Sequence, residues 1–162
     1  METSKLNWLR AGVLGANDGI ISVSVLLLGV VGVLTYDKLL LVGLSGILGG
    51  SLSMAIGEYI SVSAQRDAEK SAKRTELTNP FHAAISSFGA FILGAVIPFL
   101  AALLFENVIC IVIAVLFALI ITTIISVRVG KTGLKQPLLR NIVGGGIALT
   151  LGVVLNTVFS GM

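Results

Sequence analysis

Charged side chains are scarce in this chain. They make up 12% of its 162 residues, whereas a typical soluble domain has about 25%. With a mean hydropathy of +1.04, this composition excludes a water-soluble globule and makes the lipid bilayer the expected solvent. The pI near 9.3 does not indicate nucleic acid binding, because the few basic residues flank apolar runs, as in the loops of membrane proteins.

Cysteine, histidine and aromatic residues are also few. The single cysteine, Cys110, excludes an intramolecular disulfide and is interpreted as a packing residue. The single histidine, His82, is interpreted as interfacial, with a metal-entry ligand or proton relay as the alternative. No nucleophile–base–acid set lies within the apolar runs, so neither an enzyme nor a permanent cofactor is predicted. With 6% aromatic residues, few rings could stack on an organic cation.

Long apolar runs dominate the sequence and predict an all-α integral membrane protein with a single transmembrane domain over 1–162. The five predicted spans are 11–34, 39–64, 81–105, 107–127 and 138–160. Each exceeds the roughly 20 residues that a helix needs to cross a hydrocarbon core about 30 Å thick. No ten-residue stretches of alternating polarity indicate strands.

Basic residues are confined to three segments, which five spans place on one side of the membrane. They hold all but Lys38 of the 11 lysines and arginines. The ten residues are Lys5, Arg10, Arg66, Lys70, Lys73, Arg74, Arg128, Lys131, Lys135 and Arg140. The positive-inside rule therefore predicts a cytosolic N-terminus.

The segment 65–80 is predicted to be a short cytosolic helical connector. Asp67, Lys70 and Arg74 follow one another at helical spacing, as do Glu69, Lys73 and Glu76. This pattern indicates a solvated, salt-bridged extension of the second helix. A lipid-headgroup contact or an ion-attracting vestibule is the alternative.

Only two of the 8 acidic residues, Asp18 and Glu58, fall within predicted spans. An ionisable group there must be offset by a partner, a proton or a cation, and is a functional hypothesis by default. Both lie about 12 Å in from the cytosolic side at 1.5 Å per residue. Because no basic residue lies within any span, no internal salt bridge is expected, which leaves protons or a bound cation.

Met54 lies one helical turn from Glu58 on the same face. A carboxylate–thioether site suits a borderline or softer divalent ion better than Mg²⁺ or Ca²⁺. The alternatives are a packing methionine and a protonated carboxylate that joins two helices. Gly15 and Gly19 are four residues apart, which favours close packing of the first two helices, or of two copies of the chain. Gly19 could also loosen the first helix and free carbonyls toward an ion.

The stretches GANDGIISVSVLLLGV at 15–30 and GGSLSMAIGEYISVSAQRD at 49–67 resemble the vacuolar iron transporter family. NPFHAAISSFGAFILGAVIPFL at 79–100 is also similar, so the resemblance covers nearly the whole chain. It implies a five-helix protomer in a homodimer that exports Fe²⁺, or a similar ion such as Mn²⁺, from the cytosol in exchange for H⁺. The membrane is then a prokaryotic cell membrane or a eukaryotic vacuolar membrane.

The resemblance also implies site residues. Asp18 and Met54 match the family's transmembrane metal site, and Glu58 lies in the matching GEY motif. Possible supporting or proton-path residues are Asn17, Ser22, Ser51 and Ser61. The glutamate-rich cytosolic domain of the longer members has no counterpart at 65–80, so this chain resembles the short form.

Two other functions remain open at this point. A proton-driven exporter of small organic cations could also use membrane carboxylates in a dimer. A non-transporting membrane scaffold would tolerate Asp18→Asn.

Overall fold

The computed structural model describes residues 3–75, 77–131 and 133–161, with side chains from Leu6 onward. Glu2 and Glu76, predicted above to lie outside the spans, fall outside the described residues. The chain forms five helices, each long and apolar enough to cross a membrane. They are α1 (Thr3–Val30), α2 (Tyr36–Ser71), α3 (Pro80–Phe105), α4 (Val108–Gly130) and α5 (Lys135–Ser160). The prediction of an all-α membrane protein with five spans is confirmed.

Helix ends follow local chemistry. Asn79 precedes Pro80, and its side-chain oxygen accepts hydrogen bonds from the backbone N–H groups of Phe81 and His82 at 3.1 and 3.2 Å, which caps α3. Glu106 ends α3 in a left-handed conformation with φ 44°. Asn107 then caps α4 by accepting from the Ile109 and Cys110 backbone N–H groups. The α3–α4 turn therefore needs only two residues.

The predicted boundaries differ most at α1, which begins at Thr3 rather than at 11, because the apolar pattern marks the membrane segment and not the polar turns before it. Helix α2 also extends beyond its predicted span, which ended at 64, and continues to Ser71. Its 36 residues span about 54 Å, more than the hydrocarbon core. The last turns of α2, beyond the apolar stretch 39–64, therefore project past the membrane.

Helix α1 packs against all four other helices and forms the centre of the bundle. The Ser86 hydroxyl donates to the Trp8 carbonyl at 3.0 Å, and the Asn156 side chain donates to the Val31 carbonyl at 2.8 Å. These contacts pair the starts of α1 and α3 and the ends of α1 and α5, so the three helices run in the same direction. Helices α2 and α4 run the opposite way, which brings the three basic segments to one end.

Three glycines let α1 and α3 approach closely. A side chain at Gly15 or Gly19 would collide with the α3 backbone, at Ser87 and Phe91 respectively, and one at Gly94 would collide with the backbone at Ala16. The close contact predicted for α1 therefore occurs, but against α3 rather than α2. The loosening suggested for Gly19 is wrong, since α1 is continuous across it and the glycine is needed for packing.

Candidate functional site

An open cavity of about 410 Å³ lies between α1 and α2, and Phe91 of α3 also lines it. Asp18, Met54 and Glu58 all line it, so two carboxylates and a thioether share one chamber. The remaining lining residues are Leu14, Ser22, Gly50, Ser53, Gly57 and Phe91. Most of them are small or apolar. Asp18, Met54 and Glu58 therefore supply most of the lining atoms that could bind a metal ion.

Helical geometry explains why these side chains meet. Asp18 lies about two turns beyond Arg10 on α1, roughly 12 Å along the axis. Because α2 runs antiparallel to α1, Glu58 lies nearer the basic end, where it contacts Arg10, and Met54 lies one turn deeper on the same face. The two carboxylates are therefore not at the matching depth that the sequence predicted. Within the described residues, no group of three or more His, Cys, Asp or Glu side chains is close enough to hold a metal ion. A site in one protomer therefore depends on the thioether as its third donor.

The two carboxylates have different surroundings. Asp18 is half-buried, whereas the Glu58 side chain is 6% exposed. An Nη of Arg10 lies 2.8 Å from a carboxylate oxygen of Glu58, which makes a direct salt bridge. The expectation that no internal salt bridge reaches the buried acids is therefore wrong for Glu58. Arg10 precedes the predicted span, but its long side chain reaches across to α2.

The other predicted residues separate into two groups. Ser22 lines the cavity, and its hydroxyl donates to the Asp18 carbonyl at 2.6 Å. Ser51 is buried and donates to the Leu48 carbonyl at 3.1 Å, whereas Ser61 is exposed. Among the described residues, neither Ser51 nor Ser61 belongs to the cavity lining.

Asn17 lies on the opposite side of α1 from the cavity. Its amide donates to the Asn141 side-chain oxygen at 3.4 Å, and its oxygen accepts from the Thr122 hydroxyl at 3.3 Å. Asn141 donates in turn to the Thr123 hydroxyl at 2.9 Å. This network joins α1 to α4 and α5, so Asn17 holds the bundle together behind the cavity.

A second, smaller cavity of about 230 Å³ lies at the basic end of the bundle. Its lining residues are Leu6, Asn7, Arg10, Gln65 and Thr78. Arg10 lines this cavity, whereas its partner Glu58 lines the larger one, so their salt bridge stands between the two. His82 is exposed at the start of α3 and, within the described chain, lines neither cavity.

The connector uses Glu69 differently from the prediction. Lys70 and Asp67 form an exposed pair at 3.5 Å, consistent with a solvated helix end. Glu69 is instead buried, and one of its oxygens accepts from the Thr78 backbone N–H at 2.8 Å and from its hydroxyl at 3.0 Å. Gln65 donates to the other oxygen at 2.9 Å. Glu69 therefore fastens the loop before α3 onto α2.

Comparisons with known proteins agree with the motifs. A profile described as the VIT family matches residues 9–78 and 72–157. Vacuolar iron transporter homolog 2.1 of Arabidopsis thaliana is 37% identical over 173 residues, which cover 91% of this chain and 79% of the relative. Vacuolar iron transporter homolog 4 of the same plant is 38% identical over 164 residues, covering 92% and 82%. No solved structure gives a significant match.

Proposed function

Because the chain belongs to the VIT family, we propose that it transports a divalent transition metal ion, Fe²⁺ or Mn²⁺, out of the cytosol in exchange for protons. The observation that carries this proposal is the single chamber lined by Asp18, Met54 and Glu58 between apolar helices. Carboxylates inside a membrane are costly unless they bind a cation or a proton. Carboxylate and thioether donors together favour a borderline ion over Mg²⁺.

The ion and the proton share Asp18 in this mechanism. When the ion enters, Asp18 and Glu58 bind it as carboxylates, and Met54 supplies the softer donor. When it leaves toward the far side, a proton takes its place on Asp18 while Arg10 pairs with Glu58 again, which keeps the empty chamber near neutral. The Ser22 hydroxyl donates to the Asp18 carbonyl one turn away, so this hydroxyl is already paired within α1.

The proposed direction of transport follows from the distribution of the basic residues. The three basic segments lie at one end of the bundle, next to the smaller cavity, and the positive-inside rule places that end in the cytosol. We therefore propose that ions enter through this end. The chamber with Asp18 lies farther into the membrane and would release its ion to the opposite side.

A second copy of the chain completes the site in this proposal. One protomer offers two carboxylates and one thioether, fewer than the roughly six donor atoms of an octahedral site. Lipid would also be an unfavourable neighbour for Asp18. A two-fold axis beside α1 and α2 would set the same surface of each copy against the other and double the donors. Leu14, 45% exposed at the edge of the chamber, would then face its counterpart.

The dimer can be tested by cross-linking. Leu14→Cys in a Cys110→Ser background leaves one thiol per chain, since Cys110 is the single cysteine. Oxidation in the membrane should give a covalent dimer, whereas Leu93→Cys, 74% exposed on α3, should not. Equal cross-linking at both positions would contradict this interface.

Transport itself is tested in proteoliposomes with an acidic interior. Uptake of Fe²⁺, Mn²⁺, Co²⁺ and Zn²⁺ should depend on the pH gradient in the wild type and vanish in Asp18→Asn. Asp37→Asn is the matched control, because Asp37 is an exposed acid in the first turn of α2. Gradient-dependent uptake that persists in Asp18→Asn would overturn the assigned site. Uptake of an organic cation in place of metals would overturn the assigned cargo.

A further inference from the structure

We propose that Arg10 is a tethered cation that closes the passage between the two cavities, and that the incoming metal ion opens it by displacing the guanidinium from Glu58. The proposal rests on the proposed function for its second half, the displacement by metal. Its first half, the closure, concerns the ion-free protein alone.

The salt bridge between Arg10 and Glu58 lies where the two cavities meet. Arg10 lines the smaller cavity at the basic end, Glu58 lines the larger one with Asp18, and a 2.8 Å contact joins them. The polar residues Asn7, Gln65 and Thr78 also line the smaller cavity, so it offers a hydrated ion a more favourable surface than an apolar one. The direct route from this vestibule to Asp18 runs past the point that the guanidinium occupies, since Arg10 lines one cavity and its partner Glu58 lines the other.

The two partners differ in their freedom to move. Glu58 is 6% exposed and is fixed within the bundle, whereas the Arg10 side chain is 50% exposed. A long arginine stem can turn its charged head toward water while its methylene groups keep their packing. The second contact of Arg10, to the Asn7 side-chain oxygen, is long at 3.4 Å. Arg10 is therefore the partner that leaves.

Charge explains why an ion would drive this movement. A guanidinium and a divalent ion on one carboxylate would repel each other strongly in a half-buried site. Glu58 therefore binds one of them at a time. In the ion-free protein Arg10 neutralises Glu58, and an arriving ion takes over that role. Asp18, deeper in the chamber, has no such basic partner among the described residues.

The first measurement is access to the chamber without any metal. Ser53, which lines the larger cavity, is changed to cysteine in the Cys110→Ser background, and a charged thiol reagent is added from the basic side of liposomes. Adding Arg10→Gln should raise the modification rate by about tenfold, the effect of losing a charged contact worth roughly 1.4 kcal/mol. Arg10→Lys keeps the charge, and the pair is joined by a single N–O contact rather than by two, so this variant should stay near the wild-type rate.

The matched control is Arg66→Gln. Arg66 is an exposed cation on α2 at the same end of the bundle, so its removal changes the local potential by the same charge without touching Glu58. A rate that rises equally in Arg66→Gln and Arg10→Gln would overturn closure by Arg10. An unchanged rate in Arg10→Gln would do so too.

The second measurement is Mn²⁺ binding to the purified full chain. If the ion competes with Arg10, Arg10→Gln should lower the Kd for Mn²⁺ by roughly fivefold, and Arg10→Lys and Arg66→Gln should not. A Kd that is unchanged or higher in folded Arg10→Gln would overturn displacement and make Arg10 a residue that only positions Glu58. If the wild type binds no Mn²⁺, the proposed function and the displacement both fail, and the access experiment alone decides the closure.

Discussion

Helix α2 carries two buried glutamates, and their surroundings differ in kind. Glu69 accepts three hydrogen bonds, two of them from Thr78 and one from Gln65. Glu58, about 16 Å away along the helix, has only Arg10 as a side-chain partner within the described part of the chain, and that partner is half exposed. Both side chains are about equally buried, at 5% and 6% exposure. Burial alone therefore does not distinguish a structural carboxylate from one that we propose to exchange ions.

The number and mobility of the partners make the distinction. Backbone and short side-chain donors hold Glu69 in one state, and the hydrogen bond from the Thr78 backbone N–H is the main reason that the pKa of Glu69 is lowered. Glu58 instead faces a cavity on one side and a long flexible cation on the other. Glu58 can therefore change partners without unfolding its neighbourhood, and Glu69 cannot.

The largest difference between variants of the two glutamates is expected in the rate of metal transport. Glu58→Gln should lower metal uptake by at least roughly 100-fold, since even the outer partners of metal ligands are worth about 10- to 100-fold. Its unfolding temperature should change little, because Arg10 can turn to water. Uptake into proteoliposomes and thermal unfolding of the same preparation measure both quantities.

The opposite result is expected for Glu69→Ala at a temperature where the protein is folded. Uptake per folded molecule should stay near the wild-type value. If Glu69→Ala abolished uptake, or if Glu58→Gln left it intact, the assignment of one glutamate to transport and the other to structure would be contradicted.

The next effect is on stability. Glu69→Ala leaves the buried N–H and hydroxyl of Thr78 without their acceptor, and such unpaired groups cost about 1–3 kcal/mol. We expect a lower unfolding temperature and faster tryptic cleavage at Lys73 or Arg74, in the loop that Glu69 fastens. Asp67→Ala, which removes only an exposed pair, should change neither measurement by much.

The sequence was sufficient for the five helices and for singling out Asp18, Met54 and Glu58, which the structure brings to one cavity. Apolar runs longer than a membrane is thick allow one secondary structure, and Asp18 and Glu58 were conspicuous as the acids within them. Met54 followed from helical spacing. These features depend on composition and local geometry, which a single chain displays directly.

The sequence could not reveal the partners of the two glutamates. Arg10 had served only to mark the membrane boundary, yet an arginine side chain is long enough to reach a turn or more into the span. The spacing of Glu69 in the sequence is typical of a solvated helix face. Its burial depends on the loop that brings Thr78 back against α2. The partner of Gly15 and Gly19 was likewise a matter of tertiary packing, since any helix with a matching small surface could have contacted them.

The smallest expected effect is on the pH dependence of stability. Hydrogen bonds from Thr78 lower the pKa of Glu69 in the folded protein, so its stabilising contribution is complete above the ordinary glutamate pKa. This contribution is lost as the pH falls through the lowered folded-state value. The difference in unfolding temperature between the wild type and Glu69→Gln should therefore shrink as the pH is taken below the ordinary range of glutamates. A difference that stays constant or grows on acidification would mean that the ionised form of Glu69 is not the one that Thr78 binds, and the contrast with Glu58 would then rest on mobility alone.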